Sequence, residues 1–196
     1  MERTRDYDLL FKNTILQCKE ENAYICDIQG FQRIAEDTFI FKEISFLNLR
    51  KTALPTAYLF KPPMAWEELT EEEKCMSQWL EKSHHGIAWN SGDIPYHRLY
   101  RILQICTQGV EKIFIKGEQK ARWMKNILPN ISISNVEDFG CPPLEEIISE
   151  NQYFCFNHAL CIRRKPMCAS HNVISIRAWL LNYLESSFGQ DKIDNI

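Results

Sequence analysis

Glycine and proline are scarce in this sequence, with 7 and 8 among 196 residues. That scarcity excludes collagen-like and low-complexity chains, and no internal repeat or linker is visible. No apolar run approaches the length of a membrane span, and the segment "MERTRDYDLLFKNTILQC" lacks the apolar core of a signal peptide. We therefore expect an intracellular protein, cytoplasmic or nuclear, without membrane contact. One domain over residues 8–188 is expected, with short loose termini at 1–7 and 189–196.

A large positive charge is also absent, because the net charge is −3 at neutral pH. This value excludes a basic surface over the whole molecule, although local basic segments remain. The chain contains 8 cysteines. In a reducing compartment these are expected to be buried, reactive or metal-bound thiols rather than a disulfide framework.

Three β-rich segments lie in the first third of the chain. They are "AYICDIQGF" (Ala23–Phe31), "TFIFKEISFLNL" (Thr38–Leu49) and "TAYLFKPP" (Thr56–Pro63). Their short connections predict an antiparallel meander. Helices and short strands follow, in the predicted order α-α-β-α-β-α-α, with the first helix beginning after Pro63 and an amphipathic helix at the end. Together these patterns indicate an α/β domain in which a mixed sheet is flanked by helices.

This order of elements resembles the ribonuclease H-like fold of the DnaQ-type 3′–5′ exonucleases. The resemblance implies four acidic residues that hold two divalent metal ions. The segment "CDIQGF" has Asp27 but carries Gln29 in place of the second carboxylate, and "IFIKGEQKARWM" offers Lys116, Glu118 and Lys120 where an aspartate is implied. The terminal His-to-Asp motif has no counterpart. We therefore expect the two-metal site to be lost, and we assign no catalytic residue.

The segment "FCFNHALCIRRKPMCASH" is rich in metal-ligating side chains. Cys155 and His158 have C-x2-H spacing, which lets both close on one ion, and Cys168 lies where the terminal helix begins. Thiolate and imidazole ligands suit zinc, and a fourth ligand must come from elsewhere. The candidates are Cys161, His171, Glu43, His84 and His85. The alternative is a sulfur-rich loop whose cysteines pack as small apolar residues.

Four motifs resemble the MAEL domain of the Maelstrom proteins, a DnaQ-type fold without the usual exonuclease carboxylates. They are "FKEISFLNL", "KSHHGI", "SNVEDFGCPPLEEI" and "CFNH…MCAS". The resemblance implies a zinc ion bound by Glu43, Cys155, His158 and Cys168, and His85 matches a further histidine of the family pattern. It also implies a link to RNA silencing.

A zinc ion would explain why the charged Glu43 lies inside an apolar strand, since a buried carboxylate is costly without a partner. The alternative is that Glu43 pairs with a lysine or faces solvent. Four protein ligands with no open position indicate a structural zinc, which would fix the terminal helix to the sheet.

Two basic segments are candidates for contact with a nucleic-acid backbone. They contain Lys116, Lys120 and Arg122 beside Trp123, and then Arg163, Arg164 and Lys165. Such segments can follow a single strand, although most charge runs are solvated helix faces. Asp27 and His85 are further candidates for a cleft at the strand ends.

The leading hypothesis is a zinc-stabilised, MAEL-like domain that binds single-stranded RNA and has at most weak ribonuclease activity. A second hypothesis is a pseudo-nuclease that acts as a protein-interaction module. A third is a divergent magnesium-dependent exonuclease that uses Asp27, Asp93 or Glu118.

Overall fold

The computed structural model describes residues 22–33, 37–51, 53–148, 158 and 167–189, with the side chains of 187–189 excepted. Within these ranges the strands form one five-stranded sheet in the order β3-β2-β1-β4-β5. The strands are β1 (Ala23–Arg33), β2 (Thr38–Asn48), β3 (Thr56–Leu59), β4 (Lys112–Ile115) and β5 (Ser132–Asn135). β1 pairs antiparallel with β2 and parallel with β4, so the sheet is mixed, as predicted. The predicted start of the domain at residue 8 lies outside the described residues.

Helices cover both faces of this sheet. They are α1 (Glu71–Ser83), α2 (Leu99–Cys106), α3 (Glu118–Ile127), α4 (Leu144–Ile147) and α5 (Ala169–Gly189), and short 3-10 turns lie at Trp66–Glu68, Tyr96–Arg98 and Val136–Phe139. None of the helices in the described ranges has the length and apolarity that crossing a bilayer requires.

Two predicted boundaries near Pro63 were wrong. β3 ends at Leu59, after which Phe60 makes only an isolated bridge with Ile94. The first helix does not follow Pro63 directly, because Thr70 and Glu73 form a capping box that sets its start. The Glu73 amide donates to the Thr70 hydroxyl at 3.2 Å, and the Thr70 amide donates to the Glu73 carboxylate at 3.0 Å.

The two sides of the sheet bury separate apolar clusters. α2 and α3 pack over one face, which contains Ile28, Ile44 and Ile113, and α5 packs over the other, which contains Ile25 and Leu47. Because both faces are covered, β1 and β2 are buried along almost their whole length.

Polar side chains interrupt the apolar face below α5, among them Asp27, Gln29 and Glu43. Side chains alternate between faces along a strand, so Asp27 and Gln29 lie on the same side as Ile25. Gln29 is directly opposite Glu43 in the β1–β2 register, which places Glu43 on that side as well. All three are buried. The fold therefore brings two carboxylates and an amide under the first turns of α5.

Candidate metal centre and adjoining cleft

Glu43 is held at the first turn of α5. It lies in the middle of β2 with a fully buried side chain, and its Oε2 accepts a hydrogen bond of 2.8 Å from the Ala169 amide. The amides at a helix N-terminus lack intrahelical partners and favour negative charge. This contact fixes one carboxylate oxygen and leaves Oε1 directed at His158.

The imidazole of His158 is oriented by the backbone of His85. Its Nδ1 donates a hydrogen bond to the carbonyl oxygen of His85, because a carbonyl can only accept. The other ring nitrogen, Nε2, lies 3.2 Å from Oε1 of Glu43. In the neutral ring, two acceptor atoms therefore face each other, and this arrangement needs either a proton or a metal cation between them. A histidine that donates from its second nitrogen to a backbone carbonyl is typical of metal ligands.

Cys168 completes a cluster of three ligand types. Ligand atoms of Glu43, His158 and Cys168 all lie within 4.8 Å of one another, and all three residues are buried. Donor atoms on a tetrahedral zinc ion are about 3.3 to 3.6 Å apart, given bonds of roughly 2.0 Å to nitrogen and oxygen and 2.3 Å to sulfur. The donor types suit zinc, and the 3.2 Å between Glu43 and His158 is near this spacing, whereas the cluster as a whole is only bounded at 4.8 Å. The predicted ligand Cys155 and the alternative Cys161 lie outside the described residues.

His85 contributes its backbone rather than its ring. The ring is fully buried, with Nδ1 accepting from the Ile87 amide at 3.0 Å and Nε2 donating to the Gly30 carbonyl at 3.2 Å. Burial, together with the neighbouring His84, lowers the pKa of His85 to about 3, so the ring is neutral. Both nitrogens are used inside the protein. The structure does not bring the ring of His85, or those of His84 and His171, into the three-residue cluster.

Asp27 is neutralised by side chains of the protein itself. It is fully buried, and its Oδ1 accepts a 2.6 Å bond from Nζ of Lys120 on α3. Its Oδ2 accepts from Gln29 at 3.0 Å and from Asn172 at 2.7 Å. Asn172 was missed by the sequence analysis, although it lies four residues after Cys168 and therefore on the same side of α5. The position at which the exonuclease resemblance implies a metal-binding carboxylate holds an ion pair.

A cleft of about 480 Å³ opens beside this ion pair. It lies at the carboxyl end of β4 and beside Gln29 of β1, and the carboxyl ends of parallel strands are the usual position for ligands in such sheets. Its lining includes Gln29, His84, Lys116, Lys120, Glu137 and Met167.

Lys116 forms part of a second pair in this cleft. Its ammonium group donates to Glu137 at 2.8 Å and to the carbonyl of Cys141 at 3.2 Å. This hydrogen bond from Lys116, with a smaller contribution from Asn135, holds the pKa of Glu137 below its usual range. Burial raises the pKa of the Cys141 thiol to about 11, so Cys141 is not a reactive thiolate at neutral pH. Each lysine of the cleft is thus tied to one carboxylate.

The remaining predicted site residues are dispersed. Arg122 is half-exposed on α3 and makes a 3.4 Å contact with Asp37, and Arg163, Arg164 and Lys165 lie outside the described residues. Asp93 lines a separate depression of about 390 Å³ beside β3. Among the described residues the structure does not bring Asp27, Asp93 and Glu118 together as a metal cluster.

Comparison with solved structures shows what this fold is. The Mopeia virus exonuclease domain fully depleted of manganese matches with a TM-score of 0.51 and 14% identity, over 89% of this chain and 84% of that one. The same domain partially complexed with manganese gives the same values. Exonuclease X in complex with 5′ overhanging duplex DNA matches with a TM-score of 0.44 and 13% identity, over 84% of this chain and 92% of that one. No protein-family model and no curated protein matches the sequence. The predicted exonuclease-like, ribonuclease H-like fold is confirmed, and the Maelstrom resemblance stays a prediction.

Proposed function

We propose that this chain is a zinc-stabilised exonuclease-fold domain that binds single-stranded RNA without two-metal catalysis. The observation that carries the proposal is the 2.6 Å bond between Lys120 and the buried Asp27. A two-metal site needs several carboxylates whose charge attracts the ions. Here the buried carboxylate on β1 already has a cation, and its neighbour Gln29 is neutral. Any hydrolysis of RNA would be weak and independent of Asp27.

In this proposal zinc has a structural role. Glu43, His158 and Cys168 would hold the ion, with Cys155 as the expected fourth ligand. When bound, zinc would supply a cross-link between the middle of β2 and the start of α5. The burial of all three described ligands supports a closed site, because a catalytic zinc keeps a position open to water or substrate. The Maelstrom resemblance implies the same structural zinc on the same residues.

Donors for RNA remain in the cleft. An ammonium group carries three N–H donors. Lys120 donates one hydrogen bond to Asp27, and Lys116 donates one to Glu137 and one to the Cys141 carbonyl. Both lysines line the cleft, whose volume of about 480 Å³ is in the usual range for small-molecule sites, and we infer that their remaining donors bond to a phosphate there. Binding of this kind is electrostatic and should weaken as salt rises.

A second candidate, the protein-interaction module, is favoured by the pairing of charges in the cleft. Lys120 with Asp27 and Lys116 with Glu137 leave little net positive charge, and Glu145 adds a negative one at the rim. A protein partner would not require the cleft to attract phosphate.

Binding of a fluorescent, unstructured RNA oligonucleotide, followed by anisotropy over a range of KCl concentrations, separates these candidates. Under the RNA proposal Lys120→Gln weakens binding about three- to tenfold, whereas Lys120→Arg retains it. The slope of log affinity against log salt is negative, by about 0.7 for each phosphate neutralised. Lys61→Gln, an exposed lysine beyond β3, should bind as the wild type does.

Three outcomes would argue against the proposal. Absence of RNA binding by the folded wild type, or equal binding by the Lys120→Gln variant, would favour a protein partner. Magnesium-dependent hydrolysis that disappears in Asp27→Asn would support the divergent exonuclease. Circular dichroism of each variant checks that the fold is intact.

A further inference from the structure

An aromatic pair with one exposed member, Trp79, lies beside the cleft. Trp79 projects from the last turns of α1 with 52% of its surface exposed, although tryptophan is mostly buried in folded proteins. Its ring lies within 15° of parallel to the ring of His84, with 6.2 Å between the ring centroids. His84 itself lines the cleft. One aromatic surface therefore runs from the cleft to solvent.

The backbone holds this pair in place from two sides. The amide of His84 donates to the Leu80 carbonyl at 3.1 Å, which closes the last turn of α1. The carbonyl of His84 accepts a 3.1 Å bond from the amide of Met167, just before α5. Met167 also lines the cleft. The backbone of His84 is thus fixed both to α1 and to the segment that carries Cys168, and its ring packs against that of Trp79.

The exposed surface continues beyond the pair. Met76 lies three residues before Trp79, on the same side of α1, and is 43% exposed. On the cleft side, His84 shares a lining with Lys116 and Lys120, whose remaining N–H donors suit phosphate. An aromatic surface next to cationic donors is the combination that single-stranded nucleic-acid sites use, with bases stacked and phosphates paired.

We propose that Trp79 and His84 form a base-stacking platform for the RNA strand that enters the cleft. This inference rests on the proposed function and adds to it the surface that contacts a base. A base of the strand stacks on the exposed face of the pair, while a neighbouring phosphate bonds to Lys120. Stacking of this kind accepts any base, since each has a π-face, so the platform predicts affinity for single strands without strong sequence preference.

The test is anisotropy binding of a short fluorescent RNA at fixed salt, with three variants beside the wild type. Trp79→Ala should weaken binding about 5- to 150-fold, the range that loss of one base–aromatic stack produces. Trp79→Phe keeps a ring and should lose much less. Tyr100→Ala removes an exposed aromatic residue, 66% exposed, from α2 and should bind as the wild type does.

A second oligonucleotide separates stacking from a structural effect. An RNA of the same length with abasic sites retains the phosphates, so the wild type and Trp79→Ala should bind it equally. If the wild type and Trp79→Ala bind normal RNA equally tightly, the stacking platform is overturned and the proposed function is not. Wild type that binds no RNA would overturn the proposed function and the platform with it. A Trp79→Ala variant that loses a protein partner but binds RNA as tightly as the wild type does would also overturn the platform.

Discussion

Glu43 and His158 are 115 residues apart in the chain, yet Oε1 of Glu43 lies 3.2 Å from Nε2 of His158. Both side chains are fully buried. The Nδ1 of His158 is committed to the carbonyl of His85, so Nε2 is the atom left to face the carboxylate. A buried carboxylate and imidazole placed in this way, with the Cys168 sulfur beside them, form a triad of groups that could hold a metal ion.

The first prediction concerns metal content. Elemental mass spectrometry of the purified protein should find one zinc ion per chain, and His158→Ala and Cys168→Ser should each lose it. Cys75→Ser, which removes an exposed thiol on α1, is the matched control and should retain the metal. A metal-free wild type would mean that a proton, not zinc, joins Glu43 to His158.

The second prediction concerns the ion pair of Asp27. Lys120→Met leaves a buried carboxylate without its cation and should cost about 3 kcal/mol in urea unfolding. Asp27→Asn should cost less than half as much, because Lys120 is partly exposed and can turn to water. Equal losses in the two variants would contradict this asymmetry. The double variant should be more stable than the sum of the single losses implies.

The third prediction concerns Gly30, at the irregularity in the β1–β2 register. A Cβ atom there would lie 2.0 Å from the backbone oxygen of Ile40, so the strands must move apart to admit it. Gly30→Ala should therefore destabilise the protein by about 3 kcal/mol or more, measured by thermal unfolding. Gly109→Ala is the control, since nothing lies within 4 Å of its Cβ. Its φ of +75° should cost only about 1 to 2 kcal/mol.

The fourth prediction concerns Glu73 in the capping box. Burial alone would raise its pKa, but the Thr70 amide and the Arg33 guanidinium outweigh burial and hold the pKa below its usual value. Because its folded-state pKa is depressed, Glu73 stabilises the protein at pH values above its unfolded-state pKa of about 4.3. That contribution disappears as the pH falls through the folded-state pKa. Glu73→Gln should therefore be less stable than wild type at pH 7.

The difference between wild type and Glu73→Gln should shrink steadily as the pH of the urea titration falls below about 4. A difference that stays constant with pH would mean that Glu73 acts through packing and not through charge. Glu72→Gln, at an exposed position of the same turn, is the matched control.

The sequence allowed part of this structure to be predicted. The strands β1 and β2 follow from long β-rich runs, and the mixed sheet follows from the order of elements. Glu43 could be selected because a charge inside an apolar strand needs a partner. These features depend on neighbouring residues in the chain.

The contacts of Asp27 and His85 could not be predicted in the same way. Lys120 and Asn172 reach Asp27 from 93 and 145 residues away, and no local pattern records that distance. The contact between His158 and His85 uses a backbone carbonyl, which every residue has, so the identity of residue 85 carries no signal for it. Ring chemistry suggested a ligand at His85, whereas its ring is satisfied by Gly30 and Ile87.

The bonds from β1 and β2 to the first turns of α5 also determine when the fold can be completed during synthesis. The Ala169 amide that bonds to Glu43 lies 126 residues later in the chain, and Asn172 lies 145 residues after Asp27. Closing such long loops carries an entropic cost that local hairpins do not, so β1 and β2 can pair while the chain is still being made. Until α5 leaves the ribosome, Glu43 lacks the Ala169 amide, Asp27 lacks Asn172, and the apolar face beside them stays open. A chain stopped before residue 167 would lose far more than its last helix.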